Sequence, residues 1–167
     1  MRGPARTREE GTGLSETRRI EDQLRRAFEG EAWHGPAVKE ALAGVTARQA
    51  AARPVAAAHT IWEITAHIAV WEDVVRRRLA GERVAPTDAE DWPPAGAGGE
   101  PAWAELLARL EAGNRALRAA ILAFDESGLD QPPPGSQTPA YRLMHGVIHH
   151  DLYHAGQIAL LRKEAGA

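Results

Sequence analysis

Residues 138–163 read TPAYRLMHGVIHHDLYHAGQIALLRK. Thr138 is a helix N-cap residue type and Pro139 suits the first helical position, so the stretch predicts one long helix running to about Lys163. At about 100° per residue, Leu143, Val147, His150, His154, Ile158 and Leu161 fall within about 80° of one another. The result is an apolar stripe interrupted by two imidazoles one turn apart. A stripe of that width needs other helices to bury it.

Three other segments supply them. Ile20, Leu24 and Phe28 recur every four residues from Ser15 until Gly30 ends the pattern. Thr60 with Glu63 forms a capping box, after which Ile64, His67, Ile68, Trp71, Val74, Val75 and Leu79 keep helical spacing to about Gly81. Pro101 opens a third pattern through Trp103, Leu106, Leu107, Leu110, Leu117, Ile121 and Leu122, and Pro132-Pro133-Pro134-Gly135 breaks the chain before the last helix. Between Gly30 and His59, Pro36 and the Thr46–Gln49 capping box predict a helical connector. The Gly- and Pro-rich stretch from Gly81 to Gly99 reads as a long surface loop anchored by Trp92. With no alternating strand pattern and no internal repeat, the expectation is an all-α four-helix bundle with long connections, a single domain over residues 14–167 preceded by a flexible arm over residues 1–13.

Composition narrows the chemistry. Of 167 residues 44% are apolar, enough for one core, and a net charge of -3 offers no broad cationic surface for nucleic acid. Cysteine is absent, which excludes disulfides, thiolate ligands and a cysteine nucleophile and fits a reducing compartment. No apolar run approaches the roughly 20 residues of a membrane helix, and the expected location is cytoplasmic. G-x-S-x-G, phosphate-loop and H-E-x-x-H patterns are all missing.

Among seven histidines, His150 and His154 point into the bundle, and His67 lies in the middle of the inward face of the second long helix. A buried imidazole needs either a hydrogen-bond partner or a metal. Two histidines one turn apart, with a third from a facing helix, make a three-ligand site with an open position; three separately hydrogen-bonded core histidines are the alternative. His145 and His149 face away from the stripe, and His34 and His59 read as rim residues. Glu63, Glu72, Asp73 and Asp151 are candidate carboxylate partners of the histidines, with solvated helix positions as the simpler expectation. Ile148, Leu152 and Trp62 lie beyond one inward stripe and predict a homodimer that covers them.

HTIWEITAHIAVWE at residues 59–72 and LMHGVIHHDLYHAGQIALL at residues 143–161 resemble the DinB-like superfamily of small four-helix-bundle metal proteins. The most specific part is the H-x-x-x-H-x-G-Q of His150, His154, Gly156 and Gln157. The resemblance implies a divalent metal, nickel or zinc most often, held by His67, His150 and His154, commonly in a homodimer. It further implies a metal-dependent transferase that uses a low-molecular-weight thiol such as bacillithiol, mycothiol or glutathione on a small electrophile. Metal-dependent hydrolysis and a non-catalytic metal- or ligand-binding module are the competing expectations. Neutral imidazoles suit nickel, zinc, copper, iron or cobalt, and spacing does not choose among them.

Overall fold

The computed structural model describes residues 13–164. Of the expected N-terminal arm, all but Gly13 lies outside the described residues. The chain forms α1 (Glu16–Glu29), α2 (Val38–Leu42), α3 (Ala47–Ala51), α4 (Ile61–Leu79), α5 (Asp88–Asp91), α6 (Gly99–Leu122) and α7 (Ala140–Glu164), with a 3-10 turn at Glu126–Gly128. No strand occurs among the described residues, so the all-α expectation holds.

Capping chemistry sets several of the boundaries. The Thr60 hydroxyl accepts from Glu63 N at 3.1 Å while the Glu63 carboxylate accepts from Thr60 N at 2.8 Å, starting α4. The Thr46–Gln49 box starts α3 in the same way. A third box, Thr87 with Glu90, folds α5 inside the stretch read from sequence as loop, which corrects that reading. Gly81, with φ +86, allows the chain to turn away after α4. The start of α1 is pinned to the distant 3-10 turn, because the backbone N–H and hydroxyl of Thr17 both donate to Glu126 Oε1 at 2.9 Å.

Around the bundle the long helices run in the order α1, α6, α4, α7, so that α4 touches α6 and α7 while α1 closes the far side against the same two. Their apolar side chains form two separate clusters. One holds Ile64, Ile68, Trp103, Leu110 and Ile158 and is extended by Val38, Leu42 and Val45 around α2 and α3. The other holds Ile20, Leu24, Val75, Leu117, Met144 and Val147. Between them on α4, α6 and α7 lie His67, Glu72, Asn114, His150, Asp151 and His154. A polar layer thus divides the core.

Two expectations change here. Ile148 and Trp62 are only 5% exposed, covered within the chain by α1 and by Trp103 respectively, so they leave no face for a partner. Glu72 and Asp151, expected in solvent, are wholly buried. No helix among the described residues is long and apolar enough to cross a membrane.

Candidate metal centre

The polar layer brings the three inward histidines to one point. Nε2 of His150 lies 2.9 Å from Nε2 of His67 and 3.2 Å from Nε2 of His154. One ligand atom from each of the three falls within 4.8 Å of the others. His67 and His154 are buried, and His150 is partly open to solvent.

What holds the rings explains which nitrogen faces inward. Nδ1–H of His67 donates to the backbone carbonyl of Asp91 at 2.7 Å. Nδ1–H of His154 donates to Oε1 of Gln157 at 2.7 Å, one turn further along α7. Because a carbonyl oxygen can only accept, both rings are fixed as the tautomer whose Nε2 lone pair points at the centre. Nδ1 of His150 has no partner among the described residues; Oδ1 of Asp151 is 3.8 Å away, too far for a hydrogen bond.

Burial dominates the electrostatics. It pushes His150 down to about 4, and it pushes His154 down to about 4 with help from the neighbouring His150. His67 is also lowered by burial, against the bond to Asp91 that favours its charged form. All three are therefore neutral near pH 7, the form that coordinates metal. Two lone pairs fixed toward the centre and the Nε2 of a third neutral imidazole, with no cationic side chain among them, are an arrangement that suits a divalent transition metal.

Aromatic residues close the centre on the α5 side. Trp92 stacks on His67 at 3.8 Å between ring centroids and on His59 at 3.6 Å, with interplanar angles of 5° and 6°. Trp71 Nε1 donates to Asp91 Oδ1 at 2.6 Å, which fixes the segment whose carbonyl meets His67. Beneath the histidines, Asn114 donates to Glu72 Oε1 at 2.6 Å, while Glu72 Oε2 and both oxygens of Asp151 lack partners among the described residues. Burial raises both carboxyls, and Asp151 raises Glu72 further while Glu72 only partly offsets the rise at Asp151, so the pair retains a proton at neutral pH.

Of the remaining histidines, His145 packs on Tyr141 and His149 is exposed, both outside the centre, as their helical phase indicates. Sequence reasoning missed the part played by His59, Asp91, Trp92 and Gln157. The Thr87-x-x-Glu90 box was the available signal for an ordered turn at Asp91. Gln157, three residues after His154, carried a signal in its helical spacing.

A family model described as the DinB superfamily matches residues 32–158. The chain belongs to the DinB superfamily. The match takes in α2 to α6 and α7 as far as Ile158, including all three histidines, Asp91, Trp92 and Gln157, and leaves α1 outside. Curated proteins and solved structures gave no significant match. Within this DinB-superfamily chain, the histidine cluster is compatible with metal binding.

Proposed function

We propose that His67, His150 and His154 hold one divalent transition metal, nickel or zinc, and that the protein is a metal-dependent transferase joining a low-molecular-weight thiol to a small electrophile. The observation that carries this reading is the convergence of three Nε2 atoms, with the tautomers of His67 and His154 set by Asp91 and Gln157. A cation bound there would supply Lewis acidity and lower the pKa of a coordinated thiol at an open position.

The chain's own residues do the rest. It contains no cysteine, so a sulfur nucleophile has to arrive as cosubstrate. Glu72 and Asp151 are sealed from solvent and hold their proton, so neither serves as a strong base. In the transfer the S–H proton passes to solvent and sulfur bonds to the electrophilic carbon. Halide, or the oxygen of an opened epoxide, leaves with the electron pair. Trp92 covers one side of His67 and limits water there. A cytoplasmic setting with a reduced thiol pool suits this chemistry.

Untagged protein is expected to contain about one equivalent of metal by elemental analysis, and a His150→Ala/His154→Ala variant almost none. Equal metal in the two would overturn the site. Metal-loaded protein is expected to consume a haloarene or epoxide only with added thiol. Turnover without thiol would make it a hydrolase; no turnover, with thermal stability lost on chelation, would make it a binding module.

A further inference from the structure

We infer that the pocket beside His150 seats a small substrate with an apolar body and an anionic group of the carboxylate type. The cavity measures about 250 Å³, and of the three centre histidines only His150 lines it. The inference rests on the metal-centre reading, because it supplies the electrophile's binding place next to that centre.

The walls define the ligand. Trp71, Val75, Leu143 and Val147 give an apolar lining suited to an aromatic or short aliphatic body. Arg78 and Arg142 are the charged residues of the lining, and no carboxylate belongs to it, although the whole chain carries more acidic than basic residues. Several other arginines are paired with carboxylates, as Arg25 with Asp22 and Arg118 with Glu21. Neither pocket arginine meets a carboxylate among the described residues. Arg78 lies over the Trp71 ring at 5.6 Å and donates through Nε and Nη2 to the Val84 carbonyl, leaving Nη1 available. Arg142 makes no side-chain hydrogen bond among the described residues. A guanidinium with donors to spare beside an apolar wall is complementary to a carboxylate.

Gly146 is a second, independent observation. It sits inside α7 and lines the same pocket, yet a Cβ built on it would meet nothing within 4 Å. Its φ is not positive, so neither backbone conformation nor packing requires glycine. Glycine is a poor helix former, and what it provides here is room at the pocket.

The test is a fluorine NMR titration with 4-fluorobenzoate and its neutral counterpart 4-fluorobenzamide, on chelator-treated and on nickel-loaded protein. The acid is expected to bind about ten-fold more tightly than the amide in both preparations. Arg142→Gln, at an exposed position, is expected to weaken the acid about five-fold and leave the amide unchanged. Gly146→Leu fills the cavity and is expected to abolish binding of both while the melting temperature and nickel content stay at wild-type values. Equal affinity for acid and amide, or wild-type acid binding by Arg142→Gln and Gly146→Leu, would overturn the inference. If the protein takes up no nickel but the acid still depends on Arg142 and on space at Gly146, the metal reading falls and the anion pocket stands. If nickel binds stoichiometrically and the acid does not bind, the pocket assignment alone falls.

Discussion

The backbone carbonyl of Asp91 accepts from Nδ1 of His67 at 2.7 Å, across 24 positions of sequence. A turn in the connection between two long helices therefore decides which nitrogen of a core histidine faces the centre. The side chain of Asp91 is held by Trp71, and the next residue, Trp92, stacks on the same His67. Trp92→Ala removes the stacking while leaving the three ligands in place. Metal affinity is expected to fall about ten-fold, as for loss of other groups that orient a ligand. Competition with a chromogenic chelator measures it, with circular dichroism to show that the helices remain. Unchanged affinity would mean that α5 and its turn do not support the centre.

Gln157 does for His154 what the Asp91 carbonyl does for His67, but through a side chain that mutation can change. Gln157→Leu leaves Nδ1 of His154 without its acceptor and frees the ring to turn. A 10- to 100-fold loss of metal affinity is expected, roughly the range for such partners. Gln157→Glu keeps an acceptor at the position and is expected to retain most of the affinity. Equal loss in both variants would contradict a role in fixing the tautomer.

The two kinds of buried titratable group pull stability in opposite directions with pH. Asp151 is raised to about 8 by burial, so between its unfolded value near 4 and that folded value the native state holds a proton that the unfolded chain has released. Its contribution is full below about pH 4 and is lost as pH rises toward 8. His150 and His154 are lowered to about 4, so in metal-free protein their contribution is full above about 6.5 and is lost as pH falls toward 4. The effects overlap below about 6.5, and the carboxyl effect stands alone above it. Chelator-treated wild-type protein is expected to lose stability from pH 6.5 to 8, by up to about 1.4 kcal/mol per pH unit for each retained proton. Asp151→Asn is expected to make that loss shallower, Glu72 being still raised by its own burial, and to make the histidine-driven loss between about pH 6.5 and 4 more visible. Urea unfolding at several pH values measures both slopes, and a wild-type protein no less stable at pH 8 than at 6.5 would refute the buried acid pair.

Much of this arrangement was legible in periodicity. Thr60, Glu63 and the apolar spacing after them foretell α4, observed as Ile61–Leu79, and the same reading of α7 differs from its observed start at Ala140 by a single residue. The third long helix begins at Gly99, two residues before the proline taken as its start, which is an ordinary displacement at a helix end. His67, His150 and His154 came together because an inward phase on two helices is a local property of sequence. Glu72 and Asp151 lie at the edge of the same stripes: Glu72 is four residues after Ile68 and three before Val75, and Asp151 lies four after Val147 and four before Ala155. Their charge overrode that spacing in the reading, whereas in the fold the polar layer between two apolar clusters gives them a place. The contacts of Asp91, Trp92 and His59 join segments far apart in sequence with no shared period, so nothing local encodes them. The order of the helices around the bundle was hidden for the same reason.

The expectation of a homodimer is better argued from residues other than Ile148 and Trp62. Ile148 and Trp62 are buried within one chain, but α7 exposes Tyr153 and Leu160, each at 66%, seven residues apart on one face. Gly156 lies within about 60° of them on the helix wheel, and no neighbour comes within 4 Å of a Cβ built there, so another helix can approach closely. Scattered exposed apolar residues are ordinary, whereas two aligned on a helix with a glycine between them form a strip that a second α7 related by two-fold symmetry would cover. Sedimentation equilibrium at micromolar concentration is expected to give twice the chain mass of 18.1 kDa. Leu160→Glu is expected to give the single mass with unchanged helix content, because its side chain already faces solvent; Tyr153 is left in place because its ring meets that of His154 edge-on at 5.1 Å. A wild-type protein that sediments as monomer would remove the dimer, and a Leu160→Glu variant that remains dimeric would move the interface to another face.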